Sequence, residues 1–205
     1  MSNPKPLQLG GTYHIYNRGT NGETLFRDHR NYLFFLDRYA HYIEPVAETY
    51  AYCLMKNHFH LAIRTRTAQE QSAYQAAASW QEPFRQLSPS RQFGHLFNAY
   101  ARAFNSNTGR TGSLFEHPFH RRLVEDESYF WRLIIYIHRN PQHHGFVDDF
   151  REWSYSSYAT LLSTKPTRLQ RDALLQGLGG PDAFIAAHTD DDYNSIAELL
   201  FEEDL

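Results

Sequence analysis

The sequence has little cysteine and no long apolar run. Cys53 is the one cysteine in 205 residues, which excludes an internal disulfide framework and is typical of a reducing compartment. No apolar run approaches the roughly 20 residues that a membrane-spanning helix needs. Residues 1–11 lack the apolar core of a secretory signal. We therefore expect a cytoplasmic globular protein of one domain, or of one domain with a helical appendage, and no membrane partner.

Basic residues are outnumbered, since 20 Lys and Arg stand against 23 Asp and Glu and the formal net charge is −3. Taken as an average, this charge disfavours a nucleic-acid partner. However, positions 182–205 contain eight acidic residues and no Lys or Arg, so positions 1–181 carry a balance of +5. A basic body with an acidic tail is compatible with a polyanionic partner, or with a solvated surface helix. The acidic residues are Asp182, Asp190, Asp191, Asp192, Glu198, Glu202, Glu203 and Asp204.

The order of the predicted elements indicates an α+β fold. Strands are predicted at 12–17, 46–55, 58–65 and 113–124, and helices at 29–43, 93–108 and from Asp126 to about Asn140, where Pro141 ends the helix. The resulting β-α-β-β-α-β-α order is that of a ferredoxin-like sandwich, an antiparallel sheet with helices on one face, followed by a further helix. Residues 67–90 are polar and read as an insertion or mobile connection, and short helices are predicted after Trp153.

Two of the 12 histidines are spaced along a predicted strand so that both could bind the same metal ion. His58 and His60 alternate with Phe59, so the two imidazoles share the face opposite the core. Imidazoles about 7 Å apart at the backbone can converge on one divalent ion. The same spacing also arises by chance in a histidine-rich chain, so a metal site and an ordinary strand face both stay open.

A tyrosine and an asparagine one turn apart mark the last predicted helix. Tyr136 and Asn140 share a helix face, so an amide oxygen there could complete a site begun by two histidines, and the phenol could act as a nucleophile. Tyr129 lies two turns earlier on roughly the same face and is a rival nucleophile. Alternatively, Tyr136 packs in the core, because the helix is apolar nearly all round.

Basic residues lie among aromatic ones between positions 109 and 122. Cations suit phosphates and rings suit bases, so this segment fits a nucleic-acid strand. Surface hairpins are often basic without such a role, which makes the segment supporting evidence only. The candidate phosphate contacts are Arg18, Arg64, Arg110, Arg121 and Arg122.

Four short motifs, taken in order, resemble those of the HUH single-tyrosine transposases, in particular the REP-associated tyrosine transposases and their insertion-sequence relatives. They are residues 11–19 (GTYHIYNRG), 55–61 (MKNHFHL), 112–116 (GSLFE) and 136–141 (YIHRNP) with the following 145–147 (GFV). Each motif is weak singly, but the resemblance extends from residue 10 to about 160. The tail after about residue 165 is not part of it.

The resemblance implies a ferredoxin-like catalytic domain over residues 1–164 that cuts and rejoins single-stranded or hairpin DNA, with an acidic helical extension over 165–205. It implies that His58 and His60 are metal ligands, that Asn140 is the third ligand where other members use glutamine, and that Tyr136 forms a 5′-phosphotyrosine. A divalent ion, Mg²⁺ or Mn²⁺ in preference to adventitious Zn²⁺ or Ni²⁺, would polarise the scissile phosphate.

The sequence departs from the family pattern after Pro141. Residues 142–145 (QHHG) replace the commoner Val-Arg-Ala-Gly, which removes an arginine near the catalytic helix and puts any DNA contact of that arginine in doubt. Two other classes compete: a domesticated binding module on the same fold, and a metal-dependent hydrolase that uses water as its nucleophile. The hydrolase lacks the expected carboxylates, and a pure binder has no need of all four site residues. The choice between a monomer and a homodimer stays open.

Overall fold

The sheet has four antiparallel strands in the order β2-β3-β1-β4. The computed structural model describes residues 5–80 and 82–189. The strands are β1 Thr12–Arg18, β2 Ala47–Leu54, β3 His58–Thr65 and β4 His120–Leu123. This arrangement matches the predicted ferredoxin-like order, with β1 in the interior of the sheet and β4 at its edge.

Seven α-helices lie in the described residues, and none of them is long and apolar enough to cross a membrane. They are α1 His29–Ile43, α2 Ala68–Ala77, α3 Pro89–Thr108, α4 Glu127–His143, α5 Tyr158–Leu162, α6 Arg171–Leu178 and α7 Pro181–Thr189. Asp28 caps α1 by accepting from the Asn31 N–H. Helix α3 ends at Gly109, whose φ of 67° is the left-handed conformation that glycine adopts most easily.

Strand alternation divides the core into two layers. Ile15, Phe59 and Leu61 point to one face of the sheet and pack with the apolar sides of α1 and α3. Cys53 and Ala62 point to the other face, where α4 contributes the apolar side chains. Helix α4 therefore crosses the sheet face that His58 and His60 share, as the predicted alternation requires.

The predicted strand 113–124 is mostly wrong, because only His120–Leu123 joins the sheet. Before it, Phe115 makes a single isolated bridge with Gly19. Pro118 has no N–H to donate to a ladder, and its ring fixes φ, so the regular strand begins only after it.

Helix α4 continues past the predicted end at Asn140 to His143, with Pro141 inside it. Pro141 removes only the hydrogen bond to the Ile137 carbonyl. The His144 N–H donates to the Asn140 carbonyl and closes the last turn. Helix α4, which carries Tyr136, therefore tolerates Pro141 and is longer than the sequence predicts.

The segment 67–90 contains helix α2, so part of the predicted insertion or mobile connection is a regular element. Thr67 and Glu70 form a capping box at its start. The Gln71 and Gln75 side chains are buried and bond the backbone of residues 85–87, which fastens the following chain to α2. Seven of the eight acidic residues of the tail, from Asp190 onward, lie outside the described residues.

Candidate active site

Three neighbouring strands line a cavity of about 560 Å³ with polar and aromatic side chains. The strand register places Tyr16 of β1 directly opposite His60 of β3 on one side and His120 of β4 on the other. The register also pairs Arg18 with His58. Tyr136 of α4 closes the cavity from the other layer. The predicted histidine pair and the predicted tyrosine are thus brought into one site.

The two histidines are held in place through their Nδ1 atoms. Nδ1 of His58 lies 2.8 Å from Oδ1 of Asn57, and Nδ1 of His60 lies 2.9 Å from Nε2 of His14. The ring centroids of His58 and His60 are 5.4 Å apart with perpendicular planes. When both Nδ1–H groups donate to these partners, Nε2 is the nitrogen of each ring that can bind a cation.

Burial keeps His14, His58 and His60 neutral. It lowers the pKa of His58 to about 4, with a further lowering from the nearby His144. The pKa of His60 lies well below its ordinary value because of burial and of the neighbours His14, His58 and His144. Burial also lowers the pKa of His14 to about 3. A neutral imidazole is the form that binds a metal ion, so no proton has to leave before a cation enters.

Helix α4 brings Tyr136 and Asn140 to the histidine pair. The Tyr136 ring is buried, with its centroid 5.3 Å from that of His60 and 6.1 Å from that of His14, edge-on in both cases. The Asn140 side chain is fully buried, and neither Oδ1 nor Nδ2 meets hydrogen-bond geometry with any group. It is nevertheless close enough to His58 to oppose the lowering of that pKa. A buried amide without a partner costs about 1–3 kcal/mol, which an incoming ligand can recover.

The rival tyrosine lies elsewhere. Tyr129 does not line the cavity, and its ring lies under the Arg122 guanidinium at 4.9 Å. Of the two candidate nucleophiles, Tyr136 is therefore the one whose ring contacts His60. The core-packing interpretation of Tyr136 is also partly right, because Tyr136 belongs to the apolar cluster beneath α4.

The candidate phosphate contacts separate into two groups. Arg18 lines the cavity, and Arg122 lies opposite His14 on the site face of the sheet. The other three arginines are used in internal contacts away from the cavity. Arg64 bonds Glu48 and Glu70, Arg110 bonds Glu23 and the backbone of residues 112–113, and Arg121 lies over Phe119 on the opposite sheet face. Of the five arginines, Arg18 and Arg122 are therefore the two placed to face the candidate site.

Several site residues escaped the sequence prediction. His14, Tyr16 and Arg18 are alternate residues of β1, so the motif at 11–19 already indicates that their side chains share a face of the sheet. His120 could not be placed, because its face depends on where the short β4 begins. His144, in the segment that departs from the family pattern, has its ring 4.7 Å from His58.

The donor set of this site is small. In residues 5–80 and 82–189, no group of three or more His, Cys, Asp or Glu side chains is arranged to hold a metal ion. The candidate centre is therefore a pair of histidines with an amide.

Comparisons with known proteins found a sequence relative and a similar solved structure, although no family model matches the chain. The chain is 27% identical over 113 residues to a Haemophilus influenzae protein described as "Putative REP-associated tyrosine transposase". That alignment spans 54% of this chain and 58% of the relative, less than two thirds of its length. A solved structure of a REP-associated tyrosine transposase bound to a REP hairpin matches with a TM-score of 0.60. It is 16% identical and is matched over 81% of this chain and 89% of its own, which shows the fold.

The described fold, with a histidine pair beneath a helix that bears a tyrosine, is the arrangement that the resemblance to the HUH single-tyrosine transposases implies. The sequence relative is described as a REP-associated tyrosine transposase, and the solved structure shows that such a protein has a similar fold. The resemblance that the motifs indicate is confirmed at this level.

Proposed function

We propose that the protein cuts and rejoins single-stranded DNA through a covalent bond to Tyr136. The observation that carries this proposal is the placement of Tyr136 and Asn140, one helical turn apart on α4, beside the neutral histidines of β3. A phenol, two imidazoles that can bind a metal ion and a buried amide together suit chemistry on a phosphate group.

The residues present suit a divalent cation. His58 and His60 are neutral, their Nδ1 atoms are engaged, and Asn140 offers a buried oxygen that accepts no hydrogen bond. We propose that these three side chains hold Mg²⁺ or Mn²⁺, while the imidazole nitrogens also admit Zn²⁺ or Ni²⁺. A bound divalent cation supplies positive charge that polarises a DNA phosphate.

The covalent step conserves the energy of the phosphodiester bond. The Tyr136 oxygen forms a bond to phosphorus, and the bond between phosphorus and the 3′ oxygen breaks. The 3′ oxygen leaves with the electron pair. In the net reaction it gains the proton that the phenol loses. The products are a 5′-phosphotyrosine and a free 3′-hydroxyl. Attack by a 3′-hydroxyl on the same phosphorus reverses the step, so strands rejoin without ATP.

The DNA partner is proposed from charge and from the solved relative. Positions 1–181 carry a balance of +5, and the side chain of Arg18 at the cavity is 52% exposed beside Glu116. The matched structure contains a REP hairpin, so we propose a hairpin with single-stranded flanks as the substrate of this chain. We expect Arg18 to contact a phosphate near the scissile bond.

Covalent capture tests this function. The substrates are imperfect hairpins from the DNA that flanks the gene, carrying a label at the 3′ end, because the fragment with the 5′-phosphate is the one that stays on the protein. With Mg²⁺ or Mn²⁺ we expect an SDS-resistant labelled adduct. The Tyr136→Phe variant should form none, since it has no nucleophilic oxygen, while Tyr129→Phe should form it normally.

The same experiment separates the alternatives. A wild-type protein that binds the hairpins but forms no adduct would be a binding module. An adduct that persists in Tyr136→Phe would exclude Tyr136 as the nucleophile. Free cleaved DNA without any adduct would indicate a hydrolase that uses water.

A further inference from the structure

Three aromatic rings form a stack across the sheet beside the candidate centre. The Tyr16 ring lies between His60 and His120, with centroid distances of 5.7 Å and 4.9 Å and interplanar angles of 22° and 12°. The stack follows from the register, because Tyr16 is directly opposite both histidines on adjacent strands. One end of the stack is therefore the candidate cation ligand, and the other is the edge strand β4.

The outer end of this stack is open to solvent. The His120 side chain is 45% exposed, and Tyr16 covers its inner face. Oε2 of Glu116 lies 3.9 Å from Nε2 of His120, and Oε1 of Glu116 accepts from Nε of Arg18 at 2.8 Å. His120 thus presents an aromatic ring at a fixed place beside the exposed guanidinium of Arg18.

We propose that the outer face of His120, backed by Tyr16, is a stacking platform for an unpaired base of the bound DNA strand. This inference rests on the proposed function. The platform lies two strand spacings, roughly 10 Å, from His60. That separation suits the base of a nucleotide next to the reacting phosphate, with Arg18 placed to contact the backbone.

Stacking on a ring requires a base that is not inside a duplex. Every base has a π face, so such a platform selects for unpaired DNA rather than for a sequence. The subsite would thus place the single-stranded flank of a hairpin, and not its stem, at the candidate centre. One base stacked on an aromatic side chain is worth about tenfold in affinity or more.

The test compares DNA with and without bases. The probes are fluorescein-labelled oligothymidylate of about 12 nucleotides and an abasic strand of the same length, measured by anisotropy in the Tyr136→Phe background to prevent cleavage. We expect His120→Ala to weaken binding of oligothymidylate about tenfold and to leave binding of the abasic strand unchanged. His120→Phe should retain the preference for the strand with bases, because it keeps the ring.

Two controls make the result specific. His41→Ala removes an exposed histidine from α1, on the opposite face of the sheet, and should change neither affinity. Arg18→Ala should weaken binding of both strands alike, since phosphate contacts do not depend on the base.

Equal affinities of both probes for the parent protein would overturn the platform, and so would a His120→Ala loss of affinity that is the same for both strands. If adducts form on hairpins while His120→Ala changes nothing, only this inference fails. If neither adducts nor strand binding are seen, the proposed function fails with it.

Discussion

The histidines of the candidate centre depend on residues that lie behind them. His60 is oriented by His14, and the low pKa of His14, about 3, keeps that second ring neutral. A neutral His14 can accept at Nε2, and when the Nδ1–H of His60 donates to it, Nε2 of His60 is the nitrogen left for the proposed cation. Partners of this kind fix the tautomer of a ligand and raise its basicity.

Replacing His14 should therefore weaken metal binding without touching a ligand. We expect His14→Ala to lower the Mn²⁺ affinity about 10- to 100-fold, as is usual for the partner of a ligating histidine. Titration calorimetry with Mn²⁺ and no DNA measures this directly. His41→Ala serves as the matched control. An unchanged affinity for Mn²⁺ in His14→Ala would show that His60 is not oriented through this bond.

At the scale of elements, helix α4 determines whether the site exists. It holds Tyr136 and Asn140 over the sheet, and its His138 is part of a buried chain of hydrogen bonds. The His188 Nδ1–H donates to the Phe184 carbonyl at 2.7 Å, and the His138 Nδ1–H donates to Nε2 of His188 at 2.8 Å. The Ser157 hydroxyl then donates to Nε2 of His138 at 2.7 Å. Every polar atom of both rings is satisfied, and α4 is tied to α7.

Breaking this chain should loosen α4. In His188→Ala the Nδ1–H of His138 is left buried without an acceptor and a cavity opens, which we expect to lower the free energy of unfolding by about 3 kcal/mol. Urea denaturation at pH 7.5 measures the loss. The exposed His95, replaced by Ala, is the control. A loss no larger than in that control would mean that α7 does not support α4.

The elements with clear periodicity were predictable, and side-chain partners were not. Alternation along β3 predicted which side chains enter the core, and the predicted ends of two helices at residues 43 and 108 are those observed. The basic neighbours of Arg121 predict a contact with DNA, yet the register places Arg121 opposite Ile15, on the core side. That register depends on tertiary contacts of a strand only four residues long, and local pattern does not determine them.

At the scale of the whole molecule, the net charge of −3 conceals two unlike parts. The acidic residues are concentrated after position 181, and the sheet with its candidate site belongs to the part with a balance of +5. The 12 histidines also fall into two groups, because buried histidines are held neutral while others lie at the surface. The buried neutral histidines make the fold sensitive to acid.

Stability should fall as the pH drops below the ordinary histidine range. Burial lowers the pKa of His188 to about 4 and the pKa of His138 well below 6.5, and in the unfolded chain both titrate near 6.5. Between about pH 6.5 and 4 the unfolded state therefore binds more protons than the folded state. The stabilisation is complete above the pKa of the unfolded state and is lost as the pH falls towards the pKa of the folded state.

Each tenfold change in proton affinity is worth about 1.4 kcal/mol, so urea midpoints at pH 5 should lie clearly below those at pH 7.5. The variant His188→Phe should show a shallower pH dependence than the parent protein, because it removes one titrating ring and keeps an aromatic side chain in the α4–α7 contact. A midpoint that is constant across this range would contradict neutral burial of the two histidines.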